Sequence, residues 1–108
     1  MTPIELATLI GNVITQLDTT LADPDLPMSD PKWQTLFALR KHLDDLQRQL
    51  VQASIATGNA AYAGLTAQIK AASKDLQAVI NDFTKLGKII NDASTIASLL
   101  DQVLKLVP

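Results

Sequence analysis

The chain has 108 residues, with 47% hydrophobic and 19% charged residues, a net charge of −2 and no cysteine. This composition argues against disorder, and the length predicts one domain, residues 1–108, with a modest core. The nine basic residues never exceed two in a row, so we expect no nucleic-acid partner, because nucleic-acid binders carry a basic stripe.

The first residues of the chain do not resemble a secretory signal. The stretch Met1-Thr2-Pro3-Ile4-Glu5 lacks a basic start, and its glutamate interrupts the apolar run. No apolar stretch approaches the roughly 20 residues of a membrane-spanning helix. We therefore expect a cytoplasmic protein, or one exported without a cleavable signal peptide.

The first predicted helix covers residues 3–22. Thr2 can cap it, Pro3 suits its first position, and Glu5 stands where a capping-box acid reaches back. One face of this helix carries a row of apolar residues at spacings of three and four, which predicts packing against another helix. The row consists of Leu6, Leu9, Ile10, Val13, Leu17 and Leu21.

A proline-rich break separates the first two helices. Pro24, Pro27 and Pro31 cannot continue a helix, and Ser29 or Asp30 can cap the next one. The second helix is predicted over 31–56, and the short connection predicts that it folds back beside the first. Its apolar row consists of Leu36, Leu39, Leu43, Leu46, Leu50 and Ala53. Trp33 and Phe37 near its start are expected at the core or its edge, with exposed partner anchors as the alternative.

Residues 49–69 form the longest uncharged stretch of the chain. Gly58 suits the position after a helix and Asn59 suits a cap for the next helix, so we predict a tight turn at 57–59. The alternative is a continuous helix across Gly58, because several apolar residues on both sides share one register.

The third predicted helix, 60–106, has the longest apolar row. Every position at alternating steps of three and four from Tyr62 to Val107 is apolar. An undisturbed phase predicts one continuous helix, roughly 70 Å long at about 1.5 Å per residue. The alternative is a break near Gly87, with Asp92 or Ser94 capping a separate last helix. The fold class is therefore all-α: a small bundle of antiparallel helices with a long heptad-patterned third helix, or alternatively a four-helix up-down bundle.

The apolar face widens in the last part of this helix. Two shorter helices cannot cover all of a continuous helix of that length, and large apolar patches left on a surface usually bind partners. We therefore expect self-association or a protein partner on residues 86–107. The predicted partner-binding residues are Leu86, Ile89, Ile96, Leu99, Leu100, Val103 and Leu106.

No residue pattern predicts catalysis, a metal, a cofactor or a small-molecule substrate. His42 is the only histidine, and its neighbour Asp45 on the same helix provides no third ligand. Glu5 is explained by capping, and phosphate-binding and nucleophile motifs are missing. We therefore expect a protein that is not an enzyme.

Two function classes remain after these exclusions. The first is an interaction or assembly protein, such as an adaptor, an inhibitor or a structural subunit, acting through coiled-coil-like helix packing. The second is a membrane-active, pore-forming-like protein that inserts the uncharged 49–69 hairpin or the C-terminal apolar helix. The first is favoured, because the chain lacks a basic face for lipid and the 49–69 stretch contains several glutamines.

Overall fold

The computed structural model describes residues 1–55 and 58–106, and within these ranges the protein is helical and contains no strand. The elements are α1 (Pro3–Leu21), α2 (Pro31–Gln52), α3 (Ala60–Val79), a 3-10 turn (Phe83–Lys85) and α4 (Leu86–Leu104). The predicted all-α fold, a small helical bundle, is therefore confirmed.

The first two helices form an antiparallel hairpin. The Arg40 guanidinium Nε, in the first half of α2, lies 2.8 Å from a carboxylate oxygen of Asp18, near the end of α1. At the opposite end, Gln47 Nε2 donates a hydrogen bond of 2.8 Å to the Ala7 carbonyl. The proline-rich connection between the two helices therefore reverses the chain, as expected.

The last two helices form a second hairpin that lies against the first. The Tyr62 hydroxyl donates a hydrogen bond of 2.8 Å to the Met1 carbonyl, so α1 and α3 begin at the same end. Lys88 Nζ lies 4.0 Å from Asp75, which joins the start of α4 to the later part of α3. The four helices therefore alternate in direction.

The order of the helices around the bundle is α1, α2, α4, α3. The contact between α3 and α4 is the most extensive, α2 contacts both α1 and α4, and α1 contacts α3 least. Because α2 and α3 lie on a diagonal, the chain crosses one end of the bundle between the two hairpins.

The helix starts follow from local side-chain chemistry. Thr2 Oγ1 accepts a hydrogen bond from the Glu5 N–H, and the Glu5 carboxylate accepts one from the Thr2 N–H, forming a capping box. Asp30 caps α2, and Asn59 caps α3 with its side chain 2.7 Å from the Ala61 nitrogen. These predicted caps are confirmed.

The second helix is shorter than predicted. It ends at Gln52 rather than at residue 56, because Ala53 has extended backbone angles, φ −83° and ψ 146°. Of the predicted turn at 57–59, Thr57 lies outside the described residues, whereas Gly58 and Asn59 lie between the helices. The alternative of a continuous helix across Gly58 is wrong.

The prediction of one continuous helix over 60–106 is also wrong. The chain leaves helical geometry after Val79, and Asp82 then accepts hydrogen bonds from the Thr84 nitrogen at 3.0 Å and hydroxyl at 2.6 Å. These bonds give the backbone a local alternative to the helix. The apolar phase continues across the turn because α3 and α4 both face the same core.

The alternative of four helices with a break near Gly87 is therefore confirmed, with a different cap from the two proposed. Gly87 lies in the first turn of α4, and Asp92 and Ser94 lie inside that helix rather than before it.

Most residues of the predicted apolar rows meet in one core, but Phe83 of the third row lies in the 3-10 turn and is 37% exposed. The largest side chains with less than 2% exposure include Leu6, Ile10, Leu17, Leu36, Leu43, Leu50, Ile69, Leu76, Ile89, Ile96 and Leu100. The proline-rich connection also contributes, because Leu26 is 4% exposed.

Candidate interaction surfaces

The residues predicted to bind a partner lie in the interior of the folded chain. Six of them are at most 8% exposed and the last is half-buried: Leu86, Ile89, Ile96, Leu99, Leu100, Val103 and, half-buried, Leu106. The prediction assumed a helix too long to be covered, whereas the break after Val79 folds α4 back against α3 and α2. These side chains are therefore core residues of the folded chain.

The exposed large apolar side chains lie on other elements. Ile4 on α1 is 80% exposed and Val51 on α2 is 70% exposed, and both line the same depression. Both residues lie outside the buried apolar rows of their helices. In the sequence, an apolar residue outside such a row was the only signal that these two side chains are exposed.

The depression is a groove of about 470 Å³ between the start of α1 and the end of α2, called the apolar groove below. Its depth comes from the small Ala7 and Ala53, and the Gln47 side chain bonded to the Ala7 carbonyl fixes one wall. None of the side chains that line it is charged. They are Thr2, Pro3, Ile4, Ala7, Thr8, Gln47, Leu50, Val51 and Ala53.

A second, aromatic surface lies near the start of α2. The rings of Trp33 and Phe37 stack with centroids 5.0 Å apart, and Lys41 Nζ lies 5.7 Å from the Phe37 ring. Trp33 is half-buried and its indole N–H donates a hydrogen bond of 2.8 Å to the Leu21 carbonyl, whereas Phe37 is 40% exposed. Trp33 therefore belongs to the core edge, as expected, and fixes the connection between α1 and α2.

One carboxylate is buried between the helices. Asp92 is 5% exposed, and its Oδ2 has no hydrogen-bond partner among the described residues. Lys88 Nζ lies 3.6 Å from this oxygen and also 4.0 Å from Asp75. Burial raises the pKa of Asp92, the lysine opposes this effect, and the second carboxylate adds to it. The charged form is therefore costly in the folded chain.

The single histidine forms an ion pair or hydrogen bond with a residue distant in sequence. His42 Nε2 lies 3.2 Å from an Asp101 carboxylate oxygen, and both side chains are about half exposed. Asp45, the neighbour considered from the sequence, is not the partner. Among residues 1–55 and 58–106, no three histidine, aspartate or glutamate side chains form a group that could hold a metal ion.

Within the part of the chain that the structure describes, no helix combines the length and the apolar character needed to cross a membrane.

The chain matches no protein-family model, no curated protein and no solved structure. Its function is therefore inferred from its own surface.

Proposed function

We propose that this chain is a non-enzymatic assembly protein that pairs with a second copy of itself through the apolar groove. The observation that supports the proposal is the exposure of Ile4 and Val51 beside an uncharged groove. Exposed aliphatic side chains grouped around a concave surface are typical of protein interaction sites.

The absence of charge on the groove walls favours an apolar occupant. A partner recognised by charge would need complementary charges at the contact, and the lining residues of the apolar groove supply none. The α2 end of this surface also belongs to the uncharged stretch 49–69. Two copies therefore meet there with little like-charge repulsion.

A second copy supplies the matching shape. In a two-fold pair, each copy presents the same patch, so the patch must carry both a projection and a recess. Ile4 and Val51 are the projections, and the small Ala7 and Ala53 leave the recess. The pairing would remove two highly exposed aliphatic side chains per copy from water, each worth about 1.5–3 kcal/mol when fully buried.

Sedimentation equilibrium at micromolar concentration measures this pairing. We expect the wild type to have twice the monomer mass of 11.6 kDa, and the Ile4→Asp and Val51→Asp variants to sediment as monomers. The matched control is Met28→Asp, because Met28 is 68% exposed but lies in the connection at the other end of the bundle. This control should remain a dimer.

Two outcomes would contradict the proposal. One is a wild type that stays monomeric throughout the micromolar range, and the other is a dimer that both groove substitutions leave intact. Co-sedimentation with phosphatidylserine vesicles is measured in parallel. If the protein is a monomer that pellets with these vesicles, and Val51→Asp abolishes this co-sedimentation, membrane binding would replace self-assembly as the proposed function of the groove.

A further inference from the structure

A second groove lies between α1 and α3, on a different face of α1 from the apolar groove. It has a volume of about 500 Å³, and we call it the α1–α3 groove. It exists because α1 contacts α3 less than any other neighbouring pair of helices does. Its lining residues include Leu9, Val13 and Gln16 on α1 and Lys70, Ser73 and Lys74 on α3.

The serine of this groove has an unused hydroxyl. Ser73 is 7% exposed, and its Oγ has no hydrogen-bond partner among the described residues. A hydroxyl in a helix commonly donates to the carbonyl four residues earlier, and several threonines of this chain do so. They are Thr8, Thr15, Thr19, Thr35 and Thr95. Ser73 is different, so its hydroxyl remains available to a group bound in the groove.

The opposite wall has a matching feature. The Gln16 Oε1 is also buried and has no partner within the described ranges. A buried polar group without a partner is destabilising, so a bound molecule that supplies a partner is favoured. Rotating the amide presents its NH₂ group instead of its oxygen, because the two ends are similar in shape. Both walls can therefore offer a donor to a bound molecule.

Two lysines add positive charge on the α3 side. Lys70 and Lys74 are one helical turn apart and exposed, and neither has a carboxylate within 4.0 Å among the ion pairs of the described residues. Beside them, Leu9 is half-buried and Val13 is 1% exposed, which makes part of the groove apolar. The site thus combines hydrogen-bond donors, two ammonium groups and an apolar surface.

We propose that the α1–α3 groove binds a small organic anion, in which an acidic head is joined to a short apolar chain. The acidic head would accept a hydrogen bond from the Ser73 hydroxyl and form ion pairs with the two lysine ammonium groups, and the chain would contact Leu9 and Val13. A volume of this size is within the range of small-molecule sites in proteins. The proposal does not depend on self-association, because it uses the other face of α1.

Isothermal titration calorimetry with octanoate tests the site. We expect octanoate to bind the wild type at least about tenfold more tightly than 1-octanol, which has the chain but no charge, and than inorganic phosphate, which has charge but no chain. Lys70→Gln with Lys74→Gln should weaken octanoate binding about tenfold or more. Lys32→Gln, an exposed lysine on α2, is the matched control and should leave binding unchanged.

The serine variant separates binding from folding. Ser73→Ala should weaken octanoate binding about threefold or more, while the melting temperature stays the same or rises, because the hydroxyl has no partner to lose. In nuclear magnetic resonance spectra, octanoate should shift the amide signals of Ser73 and its neighbours.

Several results would overturn the proposal. Octanoate and 1-octanol binding equally would show that charge has no role, and equal losses in the double variant and in Lys32→Gln would show binding by general charge. No heat and no shifted signals at about 10 mM octanoate, about ten times a Kd of 1 mM, would show that the groove does not bind this class of ligand. A large fall in melting temperature for Ser73→Ala would show that the hydroxyl is already used by the fold.

Discussion

Replacing Asp92 by asparagine should make the protein more stable at neutral pH. The carboxylate is 5% exposed and has one unpartnered oxygen within the described part of the chain. Asparagine keeps the shape of the side chain and removes its charge. The change therefore isolates the cost of a buried negative charge from the cost of an altered volume.

The magnitude follows from two opposing effects. At 3.6 Å, the attraction of Lys88 is on the order of 5 kcal/mol at an effective dielectric constant of about 20. Removing a carboxylate from water costs several kcal/mol. Burial is the largest influence on the pKa of Asp92 and raises it, so the cost exceeds the attraction. We expect a net gain of about 1 kcal/mol, or about 4–8 °C in melting temperature for a chain of this size.

The sign of the pH dependence is opposite to that of most carboxylates. Because the folded chain raises the pKa of Asp92 above 3.8, the folded state binds a proton more readily than the unfolded state does. Ionisation then destabilises the wild type above the raised pKa, and this loss is relieved as the pH falls toward 3.8. For Glu5 and Asp82, hydrogen bonds lower the pKa, so the stability they provide is lost at acidic pH. The contributions of Glu5 and Asp82 are the same in the variant and in the wild type, so they cancel when the two free energies of unfolding are subtracted.

Thermal unfolding followed by circular dichroism at pH 7, 5.5 and 4.5 measures this difference. The advantage of Asp92→Asn should be greatest at pH 7 and should shrink at the lower values. Asp45→Asn is the matched control, because Asp45 is exposed and forms no ion pair among the described residues, and it should change stability by less than about 0.5 kcal/mol. A loss of more than about 1 kcal/mol for Asp92→Asn at pH 7 would refute the reasoning and show that the pair with Lys88 stabilises the fold.

Leu43→Ala and Leu76→Ala should each cost about 2–5 kcal/mol in urea unfolding, because both side chains are fully buried. His42→Ala, which removes only an exposed pair, should cost less than about 1 kcal/mol; an equal cost at all three positions would contradict the packing. Gly64→Ala should raise stability by about 0.5–1 kcal/mol, because the added carbon meets open space inside α3. Gly11→Ala should gain less or lose stability, since its added carbon would lie 3.0 Å from a glutamine nitrogen on α2; equal gains at both glycines would show that this contact has no cost.

The sequence predicts the helix starts well because each depends on a few adjacent residues. The capping box of Thr2 and Glu5, the Asp30 cap and the Asn59 cap are all visible within four residues of their helices. The end of α2 has no such signal: Ala53 is a good helix former, yet its backbone is extended.

The turn between α3 and α4 was harder to predict because periodicity reports which face of a helix is buried, not whether the helix is continuous. The informative residues were Asp82 and Thr84, because the Thr84 N–H and hydroxyl both donate to the Asp82 carboxylate and these bonds compete with the helix. The predicted break near Gly87 is close to the observed one, but Gly87 itself lies in the first turn of α4 and does not interrupt the helix. The expected interface on residues 86–107 assumed that continuous helix, whereas the apolar side chains of α4 pack into the core of the folded chain.

Neither groove could be predicted from sequence patterns. The apolar groove requires the start of α1 to lie against the end of α2, so Ile4 and Val51 are neighbours only in the folded chain. The α1–α3 groove depends on how far apart two helices are held. In the sequence, nothing distinguishes the spacing of Lys70, Ser73 and Lys74 from that of any other helix. They indicate a site only in the folded chain, where the Ser73 hydroxyl is buried without a partner and both lysines line the same groove.

The diagonal passage of the chain from α2 to α3 has a consequence for the order of folding. Each hairpin closes over a short connection, residues 22–30 in the first and 80–85 in the second, whereas the contacts between hairpins join segments far apart in sequence. Short loops cost less entropy to close, so we expect each hairpin to form before the two meet. The α2–α4 contact is more extensive than the α1–α3 contact, so we expect it to supply most of the attraction for this last step. The α1–α3 contact is the least extensive between neighbouring helices, so we expect the native chain to open there most readily.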